Sequence, residues 1–147
     1  MTALADVARL LAVDHGLCVV STVRADATVQ SSLVNAGVLT NPVSGAEVIA
    51  FVARSRARKL ANLRARPQLT AVARAGWEWA AVEGNAELIG PDDRAAGVDD
   101  EGVRLLLRAI FTAAGGSHDN WDEFDRVMAE ERRTAVLVTP RRIYSNG

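Results

Sequence analysis

The chain has a single cysteine, a single lysine and few aromatic residues, and each scarcity excludes something. A lone Cys18 cannot form an intrachain disulfide, and its place in the apolar run Leu17-Cys18-Val19-Val20 marks it as a buried structural thiol rather than a nucleophile. No apolar stretch approaches the ~20 residues that span a bilayer. The opening Met1-Thr2-Ala3-Leu4-Ala5-Asp6 has neither the basic start nor the long apolar run of a secretory signal. The expectation is a cytoplasmic protein with no membrane partner. Its two histidines, His15 and His118, have no metal-ligand spacing with each other or with Cys18, and no glycine-rich phosphate loop is present. A net charge of −1 argues against a general nucleic-acid-binding surface.

What remains has the composition of an ordinary globular protein, 49% hydrophobic and 24% charged over 147 residues, and this length suits one domain spanning residues 1–147. Leu4, Val7, Leu10 and Leu11 recur at helical spacing, so residues 3–14 form an amphipathic helix that Gly16 stops. Strand chemistry follows over 17–24, 28–34 and 47–53, with Asn41-Pro42-Val43-Ser44-Gly45 as a turn. A short basic helix over 56–66 ends at Pro67, and strands over 68–74 and 77–89 come next. Two helices, 103–114 and 120–131, precede a last strand over 134–138, where Pro140 is expected to limit pairing. Short connections dominate the first half, so the sheet should be antiparallel and close into a small barrel with flanking helices. His118, in Gly116-Ser117-His118-Asp119, is expected in a solvated interhelical loop capped by Ser117 or Asp119.

Charge is unevenly spread. Between Glu47 and Glu78 there is no acidic residue, while Arg54, Arg56, Arg58, Lys59, Arg64, Arg66 and Arg74 all fall inside that window. Arg56, Arg58 and Lys59 sit where an apolar strand gives way to a helix, and a helix N-terminus combined with cations makes a phosphate site. Lys59 is the only lysine among 17 basic residues, and a compact ammonium kept in an arginine-rich chain fits a point contact to an anion. A solvated cationic helix face accounts for the same run equally well. Trp77 and Trp79, two apart on an expected strand, would share one face and form an aromatic wall, either in a core or dimer contact or beside a ligand.

Strand, Arg58-Lys59, Asn62-Leu63, Pro67, strand: this order resembles the phosphate-binding segment of the pyridoxamine 5'-phosphate oxidase-like split β-barrel family. The run from Gly76 to Leu88, with Val82-Glu83-Gly84-Asn85-Ala86-Glu87-Leu88, resembles the strand pair that follows in that family. Trp121-Asp122-Glu123-Phe124 before a helix, and Arg133 to Tyr144 as a closing strand, resemble its actinobacterial subgroup that uses coenzyme F420. The resemblance covers nearly the whole chain. It implies a mainly β, antiparallel FMN-binding split barrel working as a homodimer, with a cofactor bound between subunits. It also implies hydride transfer from reduced F420 to a small organic acceptor. By position, Lys59 and Arg58 would hold the cofactor phosphate, Arg56 would add a cation and Asn62 a polar group. Gln30, Ser31 and Ser32 would line the ring, and Trp77 would lie near the ring or substrate pocket. The family often has Ser or Arg where this chain has Ala57, which moves one phosphate contact to Arg56.

F420 is favoured over FMN because its acidic tail matches the cationic surplus, with Arg54, Arg64 and Arg66 as its expected neutralisers. The alternatives are an FMN-binding flavoprotein of the same family, a non-catalytic F420 carrier, and a ligand or haem binder on the same barrel. His15 and His118 fall outside the strands expected to line the pocket, which weighs against haem.

Overall fold

The computed structural model describes residues 2–147. Ten elements follow one another: α1 (Leu4–Val13), β1 (Leu17–Val23), β2 (Val29–Thr40), β3 (Glu47–Arg54), α2 (Arg58–Ala65), β4 (Gln68–Ala75), β5 (Glu78–Ile89), α3 (Asp100–Ala113), α4 (Trp121–Glu130) and β6 (Arg133–Ser145). The strands close into a barrel in the order β1-β2-β3-β6-β5-β4, and every pair is antiparallel. The mainly β barrel with flanking helices expected from the sequence is thus what the chain forms. No helix among the described residues is long and apolar enough to cross a membrane.

Alternation along the strands divides the molecule into two cores. Ile49, Phe51 and Ala53 on β3 and Val136 and Val138 on β6 point into the barrel, where they meet Cys18, Val20, Leu69, Ala71 and Val82. One end of this interior is filled by Val7, Leu10 and Leu11 of α1, and α2 contributes Leu60 and Leu63. The residues between them, Val48, Ala50, Ala135 and Leu137, point outward and are covered by Leu106, Leu107 and Ile110 of α3 and Phe124 of α4. Being covered on both faces, β3 and β6 read as continuous apolar runs. Cys18 is buried as expected, and burial pushes its thiol up to about 12.

Two strands run further than their sequences advertise. β2 continues past Val34 to Thr40, because Ala36 and Gly37 are small enough to let α3 lie directly on the strand. A Cβ at Gly37 would sit 2.4 Å from the carbonyl carbon of Ala113. β6 continues past Pro140 to Ser145. Pro140 faces Gly84 at a register shift in the β5–β6 pair, where the missing N–H interrupts no regular ladder, so pairing resumes beyond it. Trp77, expected on a strand, lies instead in the β4–β5 turn after Gly76 at φ +62°, so the alternation begins at Glu78. It therefore shares no face with Trp79, which stacks edge-on with Tyr144 at a centroid distance of 6.0 Å.

Candidate functional site

A groove of about 810 Å³ opens where β2, the end of β3 and the start of α2 face the α3–α4 pair. One end is cationic, lined by Arg54, Arg56, Lys59 and Arg133. The other is apolar and aromatic, lined by Ile110, Phe111, Phe124, Val127 and Met128, with His118 beside them. Leu33, Val34 and Asn35 of β2, with Val52 and Ala53 of β3, connect the two ends.

The cationic end is built by the turn from β3 into α2. Ala57 occupies the N-cap with an extended backbone and no side-chain cap, so the first amide groups of α2 are left for an external acceptor. Lys59 follows within the first turn, half-buried, and burial lowers its ammonium from the ordinary lysine range. No carboxylate lies within ion-pair distance of Lys59, Arg56 or Arg58 among the described residues. Elsewhere the chain pairs its arginines freely, as in the bidentate contact of Arg108 with Asp125. A desolvated cation without a counter-ion beside an uncapped helix start is a place suited to an anion.

The residues expected at the site are only partly brought together. Lys59 and Arg56 line the groove, while Arg58 is exposed and does not line it. Asn62 is buried, and its side-chain amide donates to Thr22 Oγ1 and to Gln30 Oε1, both at 3.0 Å. These two bonds tie α2 to β1 and β2, which fixes where Lys59 is held. Neither Asn62 nor Gln30 lines the groove. Ser31, one residue along from Gln30, points to the outer face and shares a hydrogen bond of 2.8 Å with Ser21, and Ser32 also lies off the groove. The part of β2 that lines it is the next segment, Leu33 to Asn35. Trp77 stands away from the groove at 94% exposure.

The expected tail-neutralising arginines are engaged elsewhere. Arg54 pairs with Glu131 at 2.7 Å, Arg64 pairs with Asp93 at 2.8 Å, and Arg66 donates to the carbonyl of Val23 at 2.9 Å. Only Arg54 of the three lines the groove. Around the turn from β3 into α2, Arg56, Arg58 and Lys59 have no carboxylate partner among the described residues.

The sequence also hid the groove's aromatic end. The cap of α4 is Asn120, whose Oδ1 accepts from the amide of Glu123 at 3.1 Å, and not Ser117 or Asp119. His118 is turned inward against Phe111, Trp121 and Phe124. Four residues drawn from two helices and a loop make this cluster, and no local pattern announces it.

Asn62→Ala is expected to lower the unfolding free energy by about 1–3 kcal/mol, since it strips Thr22 and Gln30 of a buried partner. Denaturant unfolding of the purified variant checks this, and an unchanged midpoint would show that α2 is held some other way.

No family model matches the chain. Solved structures do. A conserved hypothetical protein from Mycobacterium tuberculosis superposes with a TM-score of 0.70 at 17% identity, over 99% of this chain and 84% of the other. An F420 reductase gives 0.60 at 17% identity, over 91% of this chain and 93% of its own. A pyridoxamine 5'-phosphate oxidase-related, FMN-binding protein from Nostoc punctiforme gives 0.62 at 12% identity, over 99% and 86%. The chain has the fold of these pyridoxamine 5'-phosphate oxidase-like split barrels.

Proposed function

We propose that the chain is an oxidoreductase that holds a phosphorylated deazaflavin, coenzyme F420, in this groove and reduces a small organic acceptor there. The observation that carries this reading is Lys59: the chain's only lysine, half-buried, without a counter-ion among the described residues, beside an uncapped helix start. The donor set fits the cofactor's phosphate. Lys59 and Arg56 would hold it together with the first amides of α2, and Arg58 would meet the acidic tail. The segment Leu33–Asn35 offers strand backbone and one amide side chain along which a flat ring system can lie. When bound, the cofactor supplies the hydride. The protein's own part is to fix the phosphate, orient the ring and keep water from the apolar end. FMN has the same phosphate and is the alternative ligand, and a carrier without turnover would use the same contacts.

The reading includes a homodimer. On the outer barrel face, Val19 of β1 pairs across the ladder with Leu33 of β2, and Val23 pairs with Val29. Val19 is 44%, Val29 59% and Leu33 62% exposed, apolar pairs on either side of the Ser21–Ser31 contact in a strip that borders the groove through Leu33. A second copy covering this strip would close the groove's open side. Light scattering at micromolar concentration should return twice the 15.7 kDa of one chain, and Leu33→Glu should return a single chain's mass. A wild-type mass of one chain would contradict the dimer. Saturable binding of F420 by the purified protein tests the functional reading itself.

A further inference from the structure

A second cavity, of about 410 Å³, lies between α3, α4 and the segment that leads from β5 into α3. It arises from the way the two helices are joined. Arg104 and Arg108, four residues apart and so on one side of α3, both reach Asp125 of α4, at 3.0 and 2.9 Å. Long guanidinium side chains bridge the helices where short apolar ones would draw them together. Val103 and Leu107 of α3, with Phe124 and Met128 of α4, are left lining the gap. An apolar floor with a few polar groups at its edge, at this volume, is the form of a small-molecule site. Phe124, Met128 and Arg133 also line the groove, so a ligand here would touch residues that shape the groove's apolar end.

We infer that this cavity is a second ligand site, separate from the groove, and that it takes an aryl carboxylate whose ring rests on Phe124 and Met128 and whose carboxylate pairs with Arg94. Four arginines line the cavity, Arg94, Arg104, Arg132 and Arg133, against the two carboxylates of Asp100 and Asp125. Asp125 is committed to the bridge between the helices, and Arg132 and Arg133 are paired with Asp92 and Glu131. Arg94 is the cation able to change partner. Its pair with Asp100, at 2.6 Å, is 62% and 85% exposed, and an ion pair so open to water contributes little. A ligand carboxylate takes the place of Asp100 on the guanidinium fork while the rest of the ligand gains apolar burial that Asp100 does not offer. Phe124 supplies an aromatic face or edge and Met128 a thioether, both of which favour a ring as that apolar part. The inference does not depend on what the groove binds.

The probe is 2-naphthoate, read by its own fluorescence and by the methyl signal of Met128 in protein labelled at its two methionines. Because Met128 lines both cavities, three variants decide where the probe sits. Ala129 is exposed and lines this cavity but not the groove, so Ala129→Trp fills the site without overpacking the core. Arg94→Gln removes the carboxylate's partner, and Arg56→Gln alters the groove alone. The expected result is saturable binding that shifts the Met128 methyl, falls about tenfold in Arg94→Gln and further in Ala129→Trp, and is unchanged in Arg56→Gln. The neutral analogue 2-naphthalenemethanol should bind about tenfold more weakly than 2-naphthoate to wild type and equally to Arg94→Gln and wild type. Absence of 2-naphthoate binding at millimolar concentration, or binding weakened by Arg56→Gln and not by Arg94→Gln, would overturn the site. Equal affinity for the neutral analogue would overturn the carboxylate's pairing with Arg94. Thermal melts confirm that each variant is folded, and should Ala129→Trp not fold, the Arg94→Gln and Arg56→Gln comparison decides.

Discussion

Lys59→Ala is expected to weaken F420 binding about 10- to 100-fold, equivalent to ~1–3 kcal/mol for a charge-assisted contact to phosphate. The same variant should melt no lower than wild type. Burial lowers the Lys59 pKa below its value in the unfolded chain, so without a ligand the protonated ammonium is less favourable in the folded state than in water. Its contribution to stability is therefore unfavourable below the folded pKa, and is relieved as pH rises through that value toward the ordinary lysine range. An anion bound beside Lys59 reverses this, so bound cofactor should raise the melting temperature of wild type more than that of Lys59→Ala. Fluorescence titration and thermal melts on both proteins check the pair of effects. Equal F420 affinity in a folded Lys59→Ala protein would remove the phosphate from this place.

Gly37→Val is expected to be strongly damaging to the barrel wall, costing about 3 kcal/mol of unfolding free energy. The Cβ would meet the backbone of Ala113 and not a side chain that can turn aside. Either β2 buckles or α3 lifts. If α3 lifts, it carries Ile110 and Phe111 away from the groove, so cofactor affinity should fall together with stability. Denaturant unfolding followed by Trp fluorescence measures the first effect. A wild-type midpoint for Gly37→Val would mean that the close approach of α3 to β2 has been misplaced.

The barrel was legible because its evidence is local. β3 alternates core-facing Ile49, Phe51 and Ala53 with helix-facing Val48 and Ala50, and a run of β-branched residues bounded by turns can be recognised from neighbours alone. The limits of β2 and β6 were not, because they depend on partners. Pro140 ends a strand on local grounds, yet here it sits opposite Gly84 at a bulge that only the β5–β6 pairing creates. Trp77 seemed to share a face with Trp79 because the reading placed the turn one residue too early.

The site divides along the same line. Lys59 stood out because a single lysine among arginines beside a helix start is visible in the sequence. Asn62 and Gln30 stand out as polar residues, but their bond to each other spans 32 residues, and it braces α2 away from the groove lining. Alternation along β2 then sends Ser31 to the outer face. Arg64 and Arg66 looked free because their partners, Asp93 and the Val23 carbonyl, lie far along the chain. His118 was read as solvated because the Phe111, Trp121 and Phe124 that surround it are assembled only by the packing of α3 on α4.

The most direct test is a pair of titrations of the purified wild-type protein with F420 and with FMN, each at low and high salt. Both ligands carry a phosphate for Lys59 and Arg56, but only F420 extends further carboxylates toward Arg58, which has no carboxylate partner among the described residues. Exposed charges are screened over about 8 Å at physiological ionic strength, so the acidic tail should make F420 binding the more salt-sensitive of the two. The account predicts saturable F420 binding, tighter than FMN at low salt and falling more steeply as salt is added. Tighter binding of FMN, or the same salt slope for both, would contradict the F420 assignment, and no binding of either would contradict the cofactor site itself.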